Sequence, residues 1–268
     1  MKLEEHNPKS RFSNRVENYV KYRPDYPKEI IKFLSDTIGL AKGHIIADIG
    51  SGTGISSKIF LDNENKIYGI EPNAEMRVAG ENYLSDYTNF HSIQASSEDT
   101  KLESESIDMI ISGQAFHWFE PEATKKEFLR ILKPDGYVVI FSNRRKPSNS
   151  QFMSDYTELI SKYSQKEFNY PLNTDLPNFF SLKPIHEVIF PNIQVFNLER
   201  LKGDLASYSY IPSEEDPRFN SMISEFQLLF EKYSNNGILN FDYETVLYYC
   251  KMTWLLRASI MLRSSNYE

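Results

Sequence analysis

Apolar and polar positions change rhythm twice along the 268 residues. Over 10–20, Phe12, Val16, Tyr19 and Val20 fall at helical spacing and predict one stripe of a helix. Two prolines in RPDYP (23–27) end it. A second helix is predicted over 28–40, with Ile30, Ile31, Phe33, Leu34 and Ile38 facing inward. Short runs rich in β-branched or aromatic residues follow: HIIADIG (44–50), KIYGIE (66–71), NFHSIQA (89–95), IDMIIS (107–112) and GYVVIFS (136–142). The stretches between them fit helices at 54–62, 73–84 and 122–132, the last stopped by a KPDG proline-glycine turn. Strands alternating with helices predict an α/β, doubly wound, Rossmann-like fold with five parallel strands.

After Asn143 the pattern loosens. Residues 144–184 read as helix plus irregular loop, 214–234 as a helix with Met222, Phe226, Leu229, Phe230 and Tyr233 on one side. Two extended segments, 186–201 and 238–250, are expected to add an antiparallel edge pair and complete a seven-stranded sheet.

Composition adds little to this picture and removes several functions. The chain is 40% hydrophobic and 25% charged, an ordinary globular balance, with aromatics at 14%. A net charge of −7 argues against a nucleic-acid partner, and the one basic run, Arg144-Arg145-Lys146, reads as a solvated loop after a strand. The single cysteine, Cys250, forms no internal disulfide. No apolar run reaches the ~18 residues of a spanning helix, and the charged N-terminus lacks a signal-peptide core. The expectation is a cytoplasmic protein with no membrane partner; the oligomeric state is not legible.

The sharpest chemical signal is Asp48-Ile49-Gly50-Ser51-Gly52-Thr53-Gly54, directly between a strand and a helix. Alternate glycines let the backbone turn and approach a ligand, and the helix start points free N–H groups at it. Glu71 ends the next strand, 21 residues beyond Gly50. An acid there accepts hydrogen bonds from ribose hydroxyls in doubly wound folds. Together they point to an adenosine-containing cofactor. The dinucleotide fingerprint G-x-G-x-x-G places a pyrophosphate over the helix start. Here Asp48 precedes the glycines, and a carboxylate suits a cationic ligand better than a pyrophosphate.

These segments resemble class I S-adenosylmethionine-dependent methyltransferases: DIGSGTG is similar to their motif I, IEPN (70–73) to their acidic second motif, and ILKPDG (131–136) to the turn before strand five. FSNRVENYVKYRPDYP (12–27), GQAFHWF (113–119) and LKGDLASYSYIP (201–212) resemble the trans-aconitate-type small-molecule subgroup. Ser51 departs from the commoner Cys or Ala, and residues after Met252 match nothing in that pattern. The resemblance implies S-adenosyl-L-methionine as cofactor and a small-molecule acceptor. It implies that Asp48, Gly50, Ser51 and Gly52 hold the methionine end, that Glu71, followed by Pro72, takes the ribose, and that Ser97 and Glu98 flank the adenine. It places Gln114 between donor and acceptor, and Arg23 on a carboxylate of either. It also implies one methyltransferase domain over 1–252, with cover helices at 10–40, a donor half at 41–143, an acceptor-side lid at 144–235, a last strand at 236–252 and an extension at 253–268, read either as an amphipathic docking helix or as disordered.

Trp118 is expected to be a core anchor. His117 is either an orienting residue or a general base, since methyl transfer often needs only proximity. GQAFHWF supplies no acidic metal ligands before Glu120, so no metal is expected. There is no N-P-P-Y-like loop for amino-adenine transfer, and Cys250 is no placed nucleophile for cytosine chemistry. Two other readings stay open: an NAD-dependent oxidoreductase, and a non-catalytic protein that binds the same donor.

Overall fold

Helix α1 (Val16–Tyr22) and helix α2 (Glu29–Ile38) flank the double-proline segment in the computed structural model, which describes residues 16–146, 150–164, 176–181, 183–208 and 210–252. Phe12 and the extension 253–268 lie outside the described residues. Helix α2 ends on Gly39, whose φ of 74° lets the next amide, Leu40 N–H, reach back to Leu34 O at 3.2 Å.

The predicted alternation then unfolds in order: β1 (Ile45–Ile49), α3 (Ile55–Asp62), β2 (Lys66–Ile70), α4 (Ala74–Tyr83), β3 (Phe90–Ile93), β4 (Ile107–Gly113), α5 (Pro121–Ile131) and β5 (Leu132–Arg145). Caps fix the helix starts. Asn73 accepts from Met76 N–H at 2.9 Å at α4, and Glu120 accepts from Ala123 N–H at 2.6 Å at α5, with Pro121 in the first turn. The later elements are α6 (Gln151–Tyr163), α7 (Leu176–Phe179), β6 (His186–Phe196), α8 (Leu198–Ser207), α9 (Phe219–Tyr233) and β7 (Leu239–Lys251).

The strands form one seven-stranded sheet in the order β3-β2-β1-β4-β5-β7-β6. The first five are parallel, and β7 and β6 make the antiparallel edge pair. The order reverses between β1 and β4, and ligands of such sheets bind beyond the strand C-termini at that reversal.

Three local expectations are corrected. KPDG is a bulge rather than a free turn: while β4 advances from Ile107 to Met109, its partner advances from Leu132 to Tyr137, with Asp135 at φ 67°. The extended segment 186–201 stops at Phe196, because Asn197 caps α8 by accepting from Arg200 N–H at 2.8 Å. Arg144 and Arg145 lie on β5, not in a solvated loop.

The chain divides into two compact units. The first gathers Met1–Pro27, Asn143–Tyr170 and Pro191–Thr245; the second gathers Lys28–Ser142, Pro171–Phe190 and Val246–Glu268. The second unit's core includes Ala47, Ile49, Ile70, Ile110, Phe128 and Val138. The first unit's core is more aromatic, with Phe152, Tyr156, Phe196, Phe226 and Phe241 meeting largely edge to face.

Candidate donor-binding site

Asp48 is the only polar residue of β1, in a strand otherwise built to be covered on both faces, and it is fully buried. Its Oδ2 accepts from Ser56 Oγ at 2.6 Å and Ser57 Oγ at 2.7 Å, both in the first turn of α3. Its Oδ1 makes no hydrogen bond. Burial pushes the carboxyl up to about 6, against the lowering effect of the two serines.

The glycine loop leaves β1 by donating Gly50 N–H and Ser51 N–H to Ile70 O, at 2.9 and 3.1 Å. Gly50, Gly52 and Gly54 all take positive φ, at 71°, 53° and 83°. Their surroundings differ. A Cβ on Gly50 would lie 2.4 Å from Ala115 Cβ, and one on Gly54 would lie 2.5 Å from Leu84 Cδ1. Those two glycines permit close packing within the chain. A Cβ on Gly52 meets only the flexible end of Met76, at 3.3 Å, which leaves Gly52 as the glycine of the three with room over its backbone.

Gly52 N–H donates to Glu71 Oε2 at 2.9 Å, and Asn73 N–H to Glu71 Oε1 at 2.8 Å. Burial raises the Glu71 carboxyl, the two amides lower it, and the charge of Asp48 raises it again. The site therefore brings two desolvated acids to one loop. Pro72 is partly buried between Glu71 and the cap residue Asn73.

After β3, Ser97 is buried; its hydroxyl donates to Glu98 Oε1 at 2.9 Å and accepts from Thr124 Oγ1 at 3.0 Å. Glu98 also accepts from Glu120 N–H at 3.4 Å, tying this corner to the start of α5. After β4, Gln114 holds φ 58° while its amide donates to Phe141 O at 3.0 Å. A left-handed glutamine at a strand exit is stored backbone strain of the kind found at ligand sites.

Ala115, packed over Gly50, brings the Gln114–Phe119 stretch onto the glycine loop. Residues Phe116–Trp118 form a 3-10 turn. Its anchor is Phe116, 4% exposed and packed edge to face on Phe179, whereas Trp118 is only partly buried; the expected anchoring role passes to Phe116. His117 leans on Trp118 at 4.9 Å, and burial pushes its imidazole down to about 4.

Asp48, Gly50, Ser51, Gly52, Glu71, Pro72, Ser97, Glu98, Gln114 and His117 thus all belong to the second unit, around the C-terminal ends of β1 to β4. Arg23 belongs to the first unit. Its guanidinium lies over Tyr208 at 4.3 Å and Tyr19 at 4.7 Å, and it donates to Ser207 O at 3.3 Å. Sequence reasoning missed Ser56 and Ser57, although paired hydroxyls in the helix turn after an Asp-Gly-rich loop are a legible signal. It also missed Thr53 and Ser112, whose buried hydroxyls make no hydrogen bond.

Comparisons with known proteins bear on the family and the fold. A family model described as a methyltransferase domain matches residues 47–140. An uncharacterized methyltransferase of Schizosaccharomyces pombe is 26% identical over 246 residues, covering 88% of this chain and 95% of its own. A second protein of that yeast, an uncharacterized methyltransferase-like protein, is 24% identical over 252 residues, covering 88% and 93%. The solved structure of a methyltransferase from Anaeromyxobacter dehalogenans aligns with a TM-score of 0.65 at 17% identity, over 87% of this chain and 99% of that one. Residues 47–140 thus match a methyltransferase domain, and the chain is similar along most of its length to proteins described as methyltransferases.

Proposed function

We propose that the second unit binds S-adenosyl-L-methionine at the glycine loop, for methyl transfer to a small-molecule acceptor in the cytoplasm. The observation that carries the reading is the pair of desolvated carboxylates, Asp48 with Oδ1 lacking a partner and Glu71 beside Gly52. A sulfonium and an ammonium relieve the burial of two acids; a pyrophosphate aggravates it. Asp48, Gly50, Ser51 and Gly52 would hold the methionine end and Glu71 the ribose hydroxyls, since each Glu71 oxygen keeps acceptor capacity beyond its one amide. Pro72 would shape that corner. Ser97 and Glu98 would meet the adenine edge, and Gln114 would stand between donor and acceptor. Arg23 would pair with a carboxylate.

When bound, the cofactor supplies an electrophilic methyl group. This chain's own task is to hold the acceptor in line with it and to exclude water. At neutral pH His117 is uncharged, so it can accept a proton or a hydrogen bond, but a base of pKa about 4 is a weak one. Orientation of the acceptor is the role that so weak a base suits. Among the described residues, no helix is long and apolar enough to cross a membrane.

The test is a titration of the full chain with S-adenosylhomocysteine and with NAD, followed by methyl-labelled donor offered with a panel of small acids, amines, thiols and phenols. Binding of S-adenosylhomocysteine but not NAD, with label moving to one acceptor class, is the expected result. Tight binding of NAD instead would overturn the reading.

A further inference from the structure

The first unit buries a second polar cluster, which shares only Arg23 with the residues assigned above. Arg145, on β5, donates from Nη2 to Tyr210 Oη at 2.6 Å, and its guanidinium lies 5.2 Å from the Tyr208 ring and 5.5 Å from the Tyr156 ring. Tyr208 donates to Asp204 Oδ2 at 2.8 Å, and the Arg23 guanidinium lies 4.3 Å from the Tyr208 ring. Tyr156 and Asp204 are fully buried and Tyr243 is 5% exposed. Four polar atoms in this cluster make no hydrogen bond: Arg23 Nε, Asp204 Oδ1, Tyr156 Oη and Tyr243 Oη. Buried hydroxyls and guanidinium N–H groups are ordinarily paired. Here Arg145 interacts electrostatically with Tyr156 and Tyr243, and Tyr243 with Asp204, among aromatic rings.

Two guanidiniums face a single carboxylate, so the cluster holds one more positive charge than it neutralises. Arg200 also acts on Asp204, but it is partly buried outside the cluster, with its guanidinium committed to Gln194 Oε1 and Val195 O. A planar guanidinium with tyrosine hydroxyls beside it matches a carboxylate.

We propose that the first unit carries a binding site for a small aromatic monocarboxylate, with Arg145 and the Tyr156 and Tyr243 hydroxyls on its oxygens and Asp204 limiting the site to one negative charge. This site stands on the first unit alone.

The experiment is isothermal titration of the full chain, without donor, using phenylacetate, phenylacetamide and phenylmalonate. The parent binds phenylacetate at least about tenfold tighter than the amide, and Arg145→Met removes that preference. Asp204→Asn shifts preference towards phenylmalonate. Tyr156→Phe, which keeps the ring, weakens phenylacetate alone and serves if Arg145→Met fails to fold. Equal binding of acid and amide by the parent, or an Asp204→Asn variant with unchanged preference, overturns the proposal. The donor's own carboxylate is the other source of this chemistry. If Arg145→Met weakens S-adenosylhomocysteine but not its decarboxylated analogue, the cluster serves the donor's carboxylate and the proposal is wrong. A chain that binds phenylacetate but not S-adenosylhomocysteine would instead overturn the methyl-transfer reading and leave this site standing.

Discussion

Both units bury charge, but they satisfy it differently. In the second unit the two acids of the glycine loop are held by groups of the loop and its flanks: Asp48 by Ser56 and Ser57, Glu71 by Gly52 and Asn73. In the first unit, Arg23, Arg145, Asp204, Tyr156 and Tyr243 come from widely separated parts of the chain, and four of their atoms stay unpaired. The first arrangement is a loop preorganised by its own backbone. The second is assembled only by tertiary packing, and it leaves hydrogen-bonding capacity for something other than the fold.

The comparison breaks most visibly at the glycines. Gly50→Val forces a branched side chain into Ala115 at φ 71° and is expected to cost about 3–5 kcal/mol or prevent folding. Gly52→Ala, with only Met76 nearby, is expected to cost about 1 kcal/mol while still impairing S-adenosylhomocysteine binding. Urea denaturation beside a binding titration separates the two; equal losses of stability would show that the loop is uniform.

This division also marks what was legible. The strand–loop–helix frame, the acid at the end of β2 and the antiparallel edge pair follow from period, glycine placement and apolar runs, all of them local signals. Arg145 was read as solvated because a basic tripeptide after a strand usually is; nothing near it in sequence announces the tyrosines that cover it. Trp118 was given the anchor role because of its size, and Phe116 takes it because Phe179 arrives from a distant helix. The KPDG bulge was read as a turn because the strand resumes on both sides of it, a fact only the pairing register reveals.

Asp48→Asn comes next in size. The folded-state carboxyl sits at about 6 against an ordinary 3.8, so its contribution to stability is fully present below about pH 4 and lost as pH rises through 6. The amide keeps an acceptor for both serines and removes that loss. At pH 8 the variant without ligand should be more stable than the parent by about 1–3 kcal/mol, with the advantage gone at pH 4, while donor binding is weakened. Thermal unfolding across this range checks it, and a variant destabilised at pH 8 would remove the argument from burial.

Tyr156→Phe deletes a buried hydroxyl that makes no hydrogen bond, and should raise the stability of the free protein by about 1 kcal/mol. A loss of that size would mean the hydroxyl is satisfied within the fold. A further effect, seen only at acid pH, concerns His117. Its imidazole is depressed from 6.5 to about 4, so the folded state loses stability relative to His117→Gln as pH falls from 6.5 towards 4. Proton-detected NMR should find one histidine titrating near 4 that disappears in the variant. A His117 that titrates at its ordinary value would restore it as a candidate general base at neutral pH.

The central claim is that the glycine loop holds the donor's methionine end and Glu71 its ribose. The measurement that tests it most directly is calorimetric titration of S-adenosylhomocysteine and its 2′-deoxy analogue into the parent and Glu71→Ala. A hydrogen bond to a charged group is worth about 1.5–3 kcal/mol, so the variant should bind S-adenosylhomocysteine about 10- to 150-fold more weakly and no longer distinguish the two ligands. An unchanged affinity, with the preference for the ribose form intact, would contradict the account.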